Sequence, residues 1–116
     1  MTTATLIAIA IGGALGAVIR QLLARRGKVG IFIANTAASV VLGALIGFDS
    51  FSPVVMAGLG AGVAGALSTW STLAAQIGED IRLGHYRAGL TYLLFTVAAG
   101  LIGAYVGTLF GTFLAG

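Results

Sequence analysis

The chain has 116 residues, of which 59% are hydrophobic and only 8% are charged, and its mean hydropathy is +1.09. A soluble domain of this length could not bury so much apolar surface, so the composition predicts a membrane protein. Cysteine is absent, which excludes disulfides, thiolate nucleophiles and zinc–thiolate sites. The six basic residues are too few and too dispersed to track phosphates, so no nucleic-acid partner is expected.

Four apolar runs are each long enough to cross a bilayer, which takes about 20 helical residues. They cover residues 4–24, 29–48, 54–77 and 88–112, and the connections between them are short. We therefore predict an all-α membrane protein with one four-helix transmembrane domain over residues 1–116. The first run has no basic segment before it and is too long for the apolar part of a signal peptide, so we expect it to be retained.

The first run contains two features of interest. Gly12 and Gly16 have the Gly-x-x-x-Gly spacing that allows close contact between helices. Arg20 is the only charge in this run, and an arginine inside the membrane is costly enough to suggest a functional role. The alternative is that the Arg20 side chain extends to the nearby membrane surface, and the sequence leaves both interpretations open.

The basic residues of the connections lie on one side of the membrane. Arg25, Arg26 and Lys28 follow the first run, Arg82 and Arg87 follow the third, and the other side has none. The positive-inside rule therefore predicts that these two connections are cytoplasmic and that both termini are outside.

The third run carries the stretch on which the functional prediction depends. Two glycines, Gly62 and Gly65, precede four hydroxyl residues that fall within five positions. The hydroxyl residues are Ser68, Thr69, Ser71 and Thr72. A lipid-facing helix gains nothing from such a cluster, and irregular backbone inside a bilayer is tolerated only against protein or a water-filled cavity. Because glycine also weakens helices, we predict a third helix that is broken mid-membrane and lines a polar path.

The polar groups inside the runs are neutral hydrogen-bond donors, which can surround a small anion without adding fixed charge. They are Asn35, Ser39, Ser68, Thr69, Ser71, Thr72, Tyr92 and Thr96. Tyr92 and Thr96 are four residues apart and share a helix face, and Trp70 adds an indole N–H. The alternative role is bonding between helices, which we favour for Thr96 taken alone. Asn35 together with the hydroxyl cluster favours a pathway.

No catalytic constellation is evident, so we predict that the protein is not an enzyme. The single histidine, His85, lies in a connection. Glu79 and Asp80 adjoin Arg82, and we expect them to form a solvated helix end rather than an acid–base pair. The lack of a carboxylate within the runs also argues against a proton-coupled exporter of the small multidrug type.

Three stretches resemble the Fluc (also called CrcB) fluoride channels of bacteria. Residues 12–20 read GGALGAVIR, and residues 30–35 read GIFIAN and are followed by Gly43. Residues 65–73 read GALSTWSTL, where the family pattern is Gly-x-x-Thr-Thr-Phe-Ser-Thr-Phe. Each glycine pattern is weak alone, but the asparagine helix, the hydroxyl-rich break and the four-span size together are specific, and the resemblance covers nearly the whole chain.

The resemblance implies passive efflux of cytoplasmic fluoride, which reduces its toxicity, across the bacterial inner (plasma) membrane. It implies an antiparallel dimer of the dual-topology type, surrounded by lipid, with two fluoride pores and a central structural Na⁺. Asn35 is then the pore amide, Arg20 lies near a pore vestibule, and the backbone carbonyls of Gly65 and Ser68 face the Na⁺. The remaining implied pathway residues are Trp70, Ser71, Thr72, Leu73, Tyr92 and Thr96.

A departure from the family pattern and the distribution of basic residues favour a particular kind of dimer. Trp70 and Leu73 stand where the family has paired phenylalanines, and leucine has no polarised ring edge to offer an anion. A subunit that inserts in both orientations should also have little basic asymmetry. We therefore favour a heterodimer with a homologous sister subunit, with a homodimer as the alternative. Other possible functions are a non-conducting structural partner of such a subunit and a small multidrug-type exporter.

Overall fold

Four membrane-spanning segments make up the protein, and a computed structural model describes all of residues 1–116. The first helix is Thr3–Ala24, the second is Gly27–Phe48 and the fourth is Tyr86–Ala115. The third span, Pro53–Arg82, has a first half at residues 53–67 and a second half at Trp70–Arg82. All four segments are long and apolar enough to cross a membrane, which confirms the predicted fold class.

The third span is interrupted at Ser68 and Thr69, as the hydroxyl cluster predicts. Both residues have extended backbones, with φ and ψ of −74° and 148° at Ser68 and −147° and 112° at Thr69. The Thr69 side chain then starts the second half by accepting a hydrogen bond from the Thr72 amide at 3.2 Å. A threonine in this capping role satisfies one of the amides that the first turn of a helix leaves without a partner.

The glycines ahead of the break do not themselves interrupt the helix. Gly62 lies in a π-helical stretch, Ala57–Ala64, and Gly65 keeps helical angles of −63° and −39°. A Cβ at Gly62 would meet the Gly12 Cα at 3.0 Å, so the missing side chain allows contact with the first helix. The break therefore lies after the glycines rather than at them.

The second and fourth helices pack with their backbones in contact. A Cβ at Gly43 would lie 2.2 Å from the Ala104 carbonyl oxygen, and one at Gly107 would lie 2.2 Å from the Val40 oxygen. Lipid is as apolar as the side chains of a membrane helix, so helix association depends on such close approach rather than on the hydrophobic effect. These contacts at Gly43 and Gly107, called the glycine seam here, hold together the second and fourth helices, which flank the break.

Gly107→Ala is expected to destabilise this helix pair by about 1–3 kcal/mol, because the added Cβ overpacks the seam. Gly13→Ala is a matched control, since a Cβ at Gly13 has no atom within 4 Å. Thermal unfolding in detergent, followed by circular dichroism, should show a lower midpoint for Gly107→Ala only. Equal midpoints for the two variants would contradict a tight seam.

The carboxyl-terminal end of the third span differs from the prediction. The helix ends at Arg82 rather than Ile77, and the next helix already begins at Tyr86, so the polar connection is only three residues long. Arg82 pairs with the exposed Glu79 at 2.6 Å, which supports the last turn. Because these residues are helical rather than part of a loop, the helical repeat determines which of their polar side chains face inward.

Asp80 is the residue that this difference affects most. The expectation of a solvated helix end holds for Glu79 but is wrong for Asp80, which is buried and pairs with Lys28 of the second helix. Because the helix continues, Asp80 lies seven residues after the buried Leu73 and therefore on the same inward face. The third span thus does contain a carboxylate, although a lysine neutralises it.

Candidate functional site

A cleft of about 490 Å³ lies beside the break, lined by residues of the second, third and fourth segments. It brings together seven residues that the sequence predicts to be of interest: Asn35, Ser39, Ser68, Thr69, Trp70, Leu73 and Thr96. The rest of the lining consists of Val97, Gly100, Leu101 and Ala104. The cleft therefore has a polar wall at the break and an apolar wall on the fourth helix.

Asn35 fixes the break through both ends of its side-chain amide. Its Oδ1 accepts a hydrogen bond from the Thr69 amide at 2.7 Å, and its Nδ2 donates to the Thr69 carbonyl at 3.3 Å. These bonds replace backbone hydrogen bonds that the interrupted helix cannot make, and buried backbone groups require such partners. Because Nδ2 carries two hydrogens, one N–H is left for a ligand in the cleft.

The hydroxyls of Ser71 and Thr72 are held by Thr69. Its Oγ1 donates to the Thr72 hydroxyl at 3.1 Å and lies 3.4 Å from the Ser71 hydroxyl. Ser71 is exposed and neither residue lines the cleft. In this structure Ser71 and Thr72 therefore support the capped start of the second half, next to the cleft rather than within it.

Thr96 has the most available donor in the cleft. Its side chain is buried, and its Oγ1 has no hydrogen-bond partner in the protein. A buried hydroxyl without a partner costs free energy that a ligand in the cleft would recover. If Thr96 served to bond helices together, its hydroxyl would have a partner on another helix, and it has none.

The two residues at the family's phenylalanine positions have contrasting surroundings. Trp70 is 72% exposed at the edge of the cleft, whereas Leu73 is only 2% exposed. Leu73 offers methyl groups where the family pattern has an aromatic ring. An anion at the base of the cleft would therefore meet an apolar side chain.

Tyr92 and Arg20 lie outside the cleft. The Tyr92 hydroxyl donates to Gln76 Oε1 at 2.6 Å, one helical turn before Thr96 on the same face. Arg20 is half-buried in the first helix, and its side chain forms no hydrogen bond or ion pair with the rest of the chain. Of the predicted pathway residues, Asn35, Trp70, Leu73 and Thr96 thus line the cleft, and Arg20, Ser71, Thr72 and Tyr92 lie outside it.

A second polar cluster, which the sequence does not predict, is formed by Lys28, Gln76, Asp80 and Tyr92 and is called the Lys28 cluster here. Lys28 pairs with Asp80, and its ammonium lies 5.4 Å from the centre of the Tyr92 ring. The Lys28 carbonyl lies 3.4 Å from the Tyr92 hydroxyl. The spacing of Leu73, Gln76 and Asp80, by three and four residues, is the signal that could have revealed it, because such residues share one helix face.

Two backbone carbonyls next to the break are available to a cation. The Ser68 carbonyl accepts no hydrogen bond within the chain, and the Gly65 carbonyl accepts a long one of 3.4 Å from the Ser68 hydroxyl. Both residues are exposed. Carbonyl oxygens without strong donors are suitable ligands for a hard cation, so the residues present fit a Na⁺.

Comparison with known proteins identifies relatives along most of the chain. The family described as "CrcB-like protein, Camphor Resistance (CrcB)" matches residues 7–108. The "Fluoride-specific ion channel FluC 2" of Corynebacterium diphtheriae is 46% identical over 101 residues, which cover 86% of this chain and 94% of the relative.

Proteins of the same name from Bifidobacterium longum and Rhodococcus jostii are 39% and 37% identical. The first alignment covers 90% of this chain and 66% of the relative, and the second covers 89% and 95%. The matches include the second helix with Asn35 and the broken third span. The chain therefore belongs to the CrcB-like family.

Proposed function

We propose that the protein is a subunit of a fluoride channel through which cytoplasmic fluoride leaves the cell passively. The observation that carries this proposal is the cleft at the break, where Asn35 keeps one free N–H and Thr96 has a buried hydroxyl with no partner. The names of the relatives, which specify fluoride as the ion, support the proposal.

The donors in the cleft suit a small anion. No acidic side chain lines the cleft, so no fixed negative charge repels an anion there. Amide and hydroxyl hydrogens can replace water around the ion, and they hold it less strongly than a buried arginine would. Moderate binding of this kind permits the ion to leave again, which conduction requires.

A second subunit is proposed to cover the cleft. Trp70 and Leu101 at its edge are exposed, so the polar wall would otherwise meet lipid, where unpaired polar groups are costly. We infer an antiparallel dimer, and the one-sided distribution of basic residues favours a sister subunit over a second copy of this chain. The homodimer is the alternative.

The Gly65 and Ser68 carbonyls are proposed to hold a Na⁺ together with the matching carbonyls of the other subunit. The cation would supply positive charge to carbonyl oxygens that lack hydrogen-bond donors. Because these residues are exposed on a single subunit, a shared cation would also link the two subunits. The inner (plasma) membrane of a bacterium, with both termini outside, is the proposed location.

A non-conducting structural partner is the second candidate, and the buried Leu73 is the observation that favours it. A path that passes Leu73 meets methyl groups instead of a polarised ring edge, so the sister subunit would provide the conducting path. The small multidrug-type exporter has weaker support, because the one buried carboxylate, Asp80, is already paired with Lys28.

Fluoride release from liposomes tests these possibilities. Vesicles loaded with fluoride receive this chain alone, a homologous subunit with the opposite charge bias alone, or both, and a fluoride electrode records efflux. We expect rapid release of fluoride with both subunits and little with this chain alone. From vesicles loaded with chloride and followed with a chloride electrode, we expect no release. No release with both would overturn the channel proposal, and rapid release with this chain alone would favour the homodimer.

A further inference from the structure

The Lys28 cluster lies next to the connection that carries Arg25 and Arg26, which is cytoplasmic in the proposed orientation, and it has no part in the function proposed above. We propose that Lys28 binds the permeating anion as it enters from the cytoplasm, and that Asp80 sets the strength of that binding. This inference rests on the proposed channel function. It assigns a charged entry site to a path whose middle contains only neutral donors.

The Lys28 cluster and the cleft lie along the same helix faces. Lys28 and Asn35 are seven residues apart on the second helix, which places them on one face about 10 Å apart along the helix axis. Tyr92 and Thr96 are separated by one turn of the fourth helix. An anion that leaves the Lys28 cluster along these faces therefore arrives at the donors of the cleft.

The cationic member of the ion pair is more exposed than the anionic member, so an anion can reach it. The Lys28 side chain is 41% exposed, whereas that of Asp80 is 10% exposed. An ammonium has three N–H donors, and Asp80 is the only side chain that accepts from it in the protein. The cationic partner thus faces the solvent with free donors while the anionic partner is covered.

Gln76 adds a neutral donor to the same site. Its Oε1 accepts the Tyr92 hydroxyl, so its amide nitrogen keeps two N–H groups without partners. Tyr92 connects the two, because its ring lies under the Lys28 ammonium and its hydroxyl bonds to Gln76. An ammonium and an amide on opposite parts of one tyrosine form a site that favours a small anion over a cation.

Asp80 has a distinct role in this arrangement. An unpaired ammonium at the mouth of a path would retain an anion, and conduction requires release as well as capture. The carboxylate offsets part of the lysine charge, so the site concentrates anions without trapping them. If the ion pair were purely structural, only the bond between the two residues would matter. Exchanging the positions of the positive and negative charges would then have no effect on efflux.

The charge swap Lys28→Glu with Asp80→Lys separates these roles. It keeps an ion pair but places the negative charge on the exposed side, so we expect folding as in the original protein and about tenfold less fluoride efflux at low fluoride. Asp80→Asn should instead raise efflux at low fluoride and lower the half-saturating concentration. Arg25→Gln, a change of an exposed loop charge, is the control and should leave both unchanged.

Binding provides a readout that does not depend on flux. The ¹⁹F resonance of fluoride should broaden in the presence of the purified protein, more strongly for Asp80→Asn and less strongly for the charge swap. A charge swap with the efflux and line broadening of the original protein would overturn the inference. Absence of efflux in the original protein would instead count against the channel proposal, while a loss of broadening in the charge swap would still support Lys28 as an anion site.

Discussion

Asn35→Ala is expected to reduce fluoride efflux from the reconstituted channel by at least about tenfold, the effect of losing roughly 1.4 kcal/mol of stabilisation of the ion. The substitution removes the N–H available to the cleft and both hydrogen bonds to the Thr69 backbone. It should therefore also lower the free energy of unfolding, by about 1–3 kcal/mol, since Thr69 keeps buried groups without partners. A fluoride electrode and thermal unfolding in detergent measure the two effects.

Ser39→Ala is the control for this substitution. The Ser39 hydroxyl lines the same cleft but donates to the Asn35 carbonyl of its own helix at 3.1 Å, so its loss leaves the break intact. We expect efflux to stay within about twofold, because a bond of this kind contributes little. If Asn35→Ala left efflux unchanged while stability fell, Asn35 would be a packing residue and the path on this subunit would not conduct.

Thr96→Val should reduce efflux without reducing stability. The two side chains have nearly the same shape, and the Thr96 hydroxyl has no partner in the protein, so its removal costs no hydrogen bond in folding. A hydrogen bond to a charged ligand contributes about 1.5–3 kcal/mol, so its loss should lower efflux by about tenfold or more. A loss of efflux with no loss of stability would identify a hydroxyl whose role is to bind the ion.

Thr36→Val is the matched control for Thr96→Val. Thr36 also has a buried hydroxyl without a partner, but it does not line the cleft. The same chemical change should therefore leave efflux as it was and leave the unfolding midpoint equal or slightly higher. Equal loss of efflux in both variants would contradict the assignment of the cleft as the path.

The spans and the break could be predicted from sequence because their causes are local. A run of about 20 apolar residues is a sufficient reason for a membrane helix, and four hydroxyls in such a run indicate a polar neighbour. The prominence of Asn35 also follows from its being the one strongly polar side chain of its run. These patterns do not show which hydrogen-bond partner each polar group has.

The pairing of Asn35 with Thr69 shows why the site could be predicted only in part. The residues are 34 positions apart, and nothing in either stretch specifies which amide meets which backbone group. The positions of the Ser71 and Thr72 hydroxyls depend on the same contact, because both lie close to the Thr69 hydroxyl that caps the start of the helix. The composition indicates which residues carry hydrogen-bond donors. Only the fold shows which donors already have a partner in the protein and which remain available to a ligand.

Asp80 illustrates a different limit. Its neighbours Glu79 and Arg82 indicate a charged surface turn, and that interpretation is right for both of them. The burial of Asp80 depends on the continuation of the helix to Arg82 and on the presence of Lys28 at the start of the second helix. Helix ends are difficult to locate from sequence, and a shift of a few residues changes which side chain faces inward.

The bonds between Asn35 and Thr69 have a consequence for how the protein is assembled. Before the second and third segments meet, the Thr69 amide and carbonyl have no partner in the bilayer except the backbone of their own span. The interrupted form of the third span, and with it the polar wall of the cleft, therefore depends on the docking of the second helix, which supplies the partners of the Thr69 amide and carbonyl.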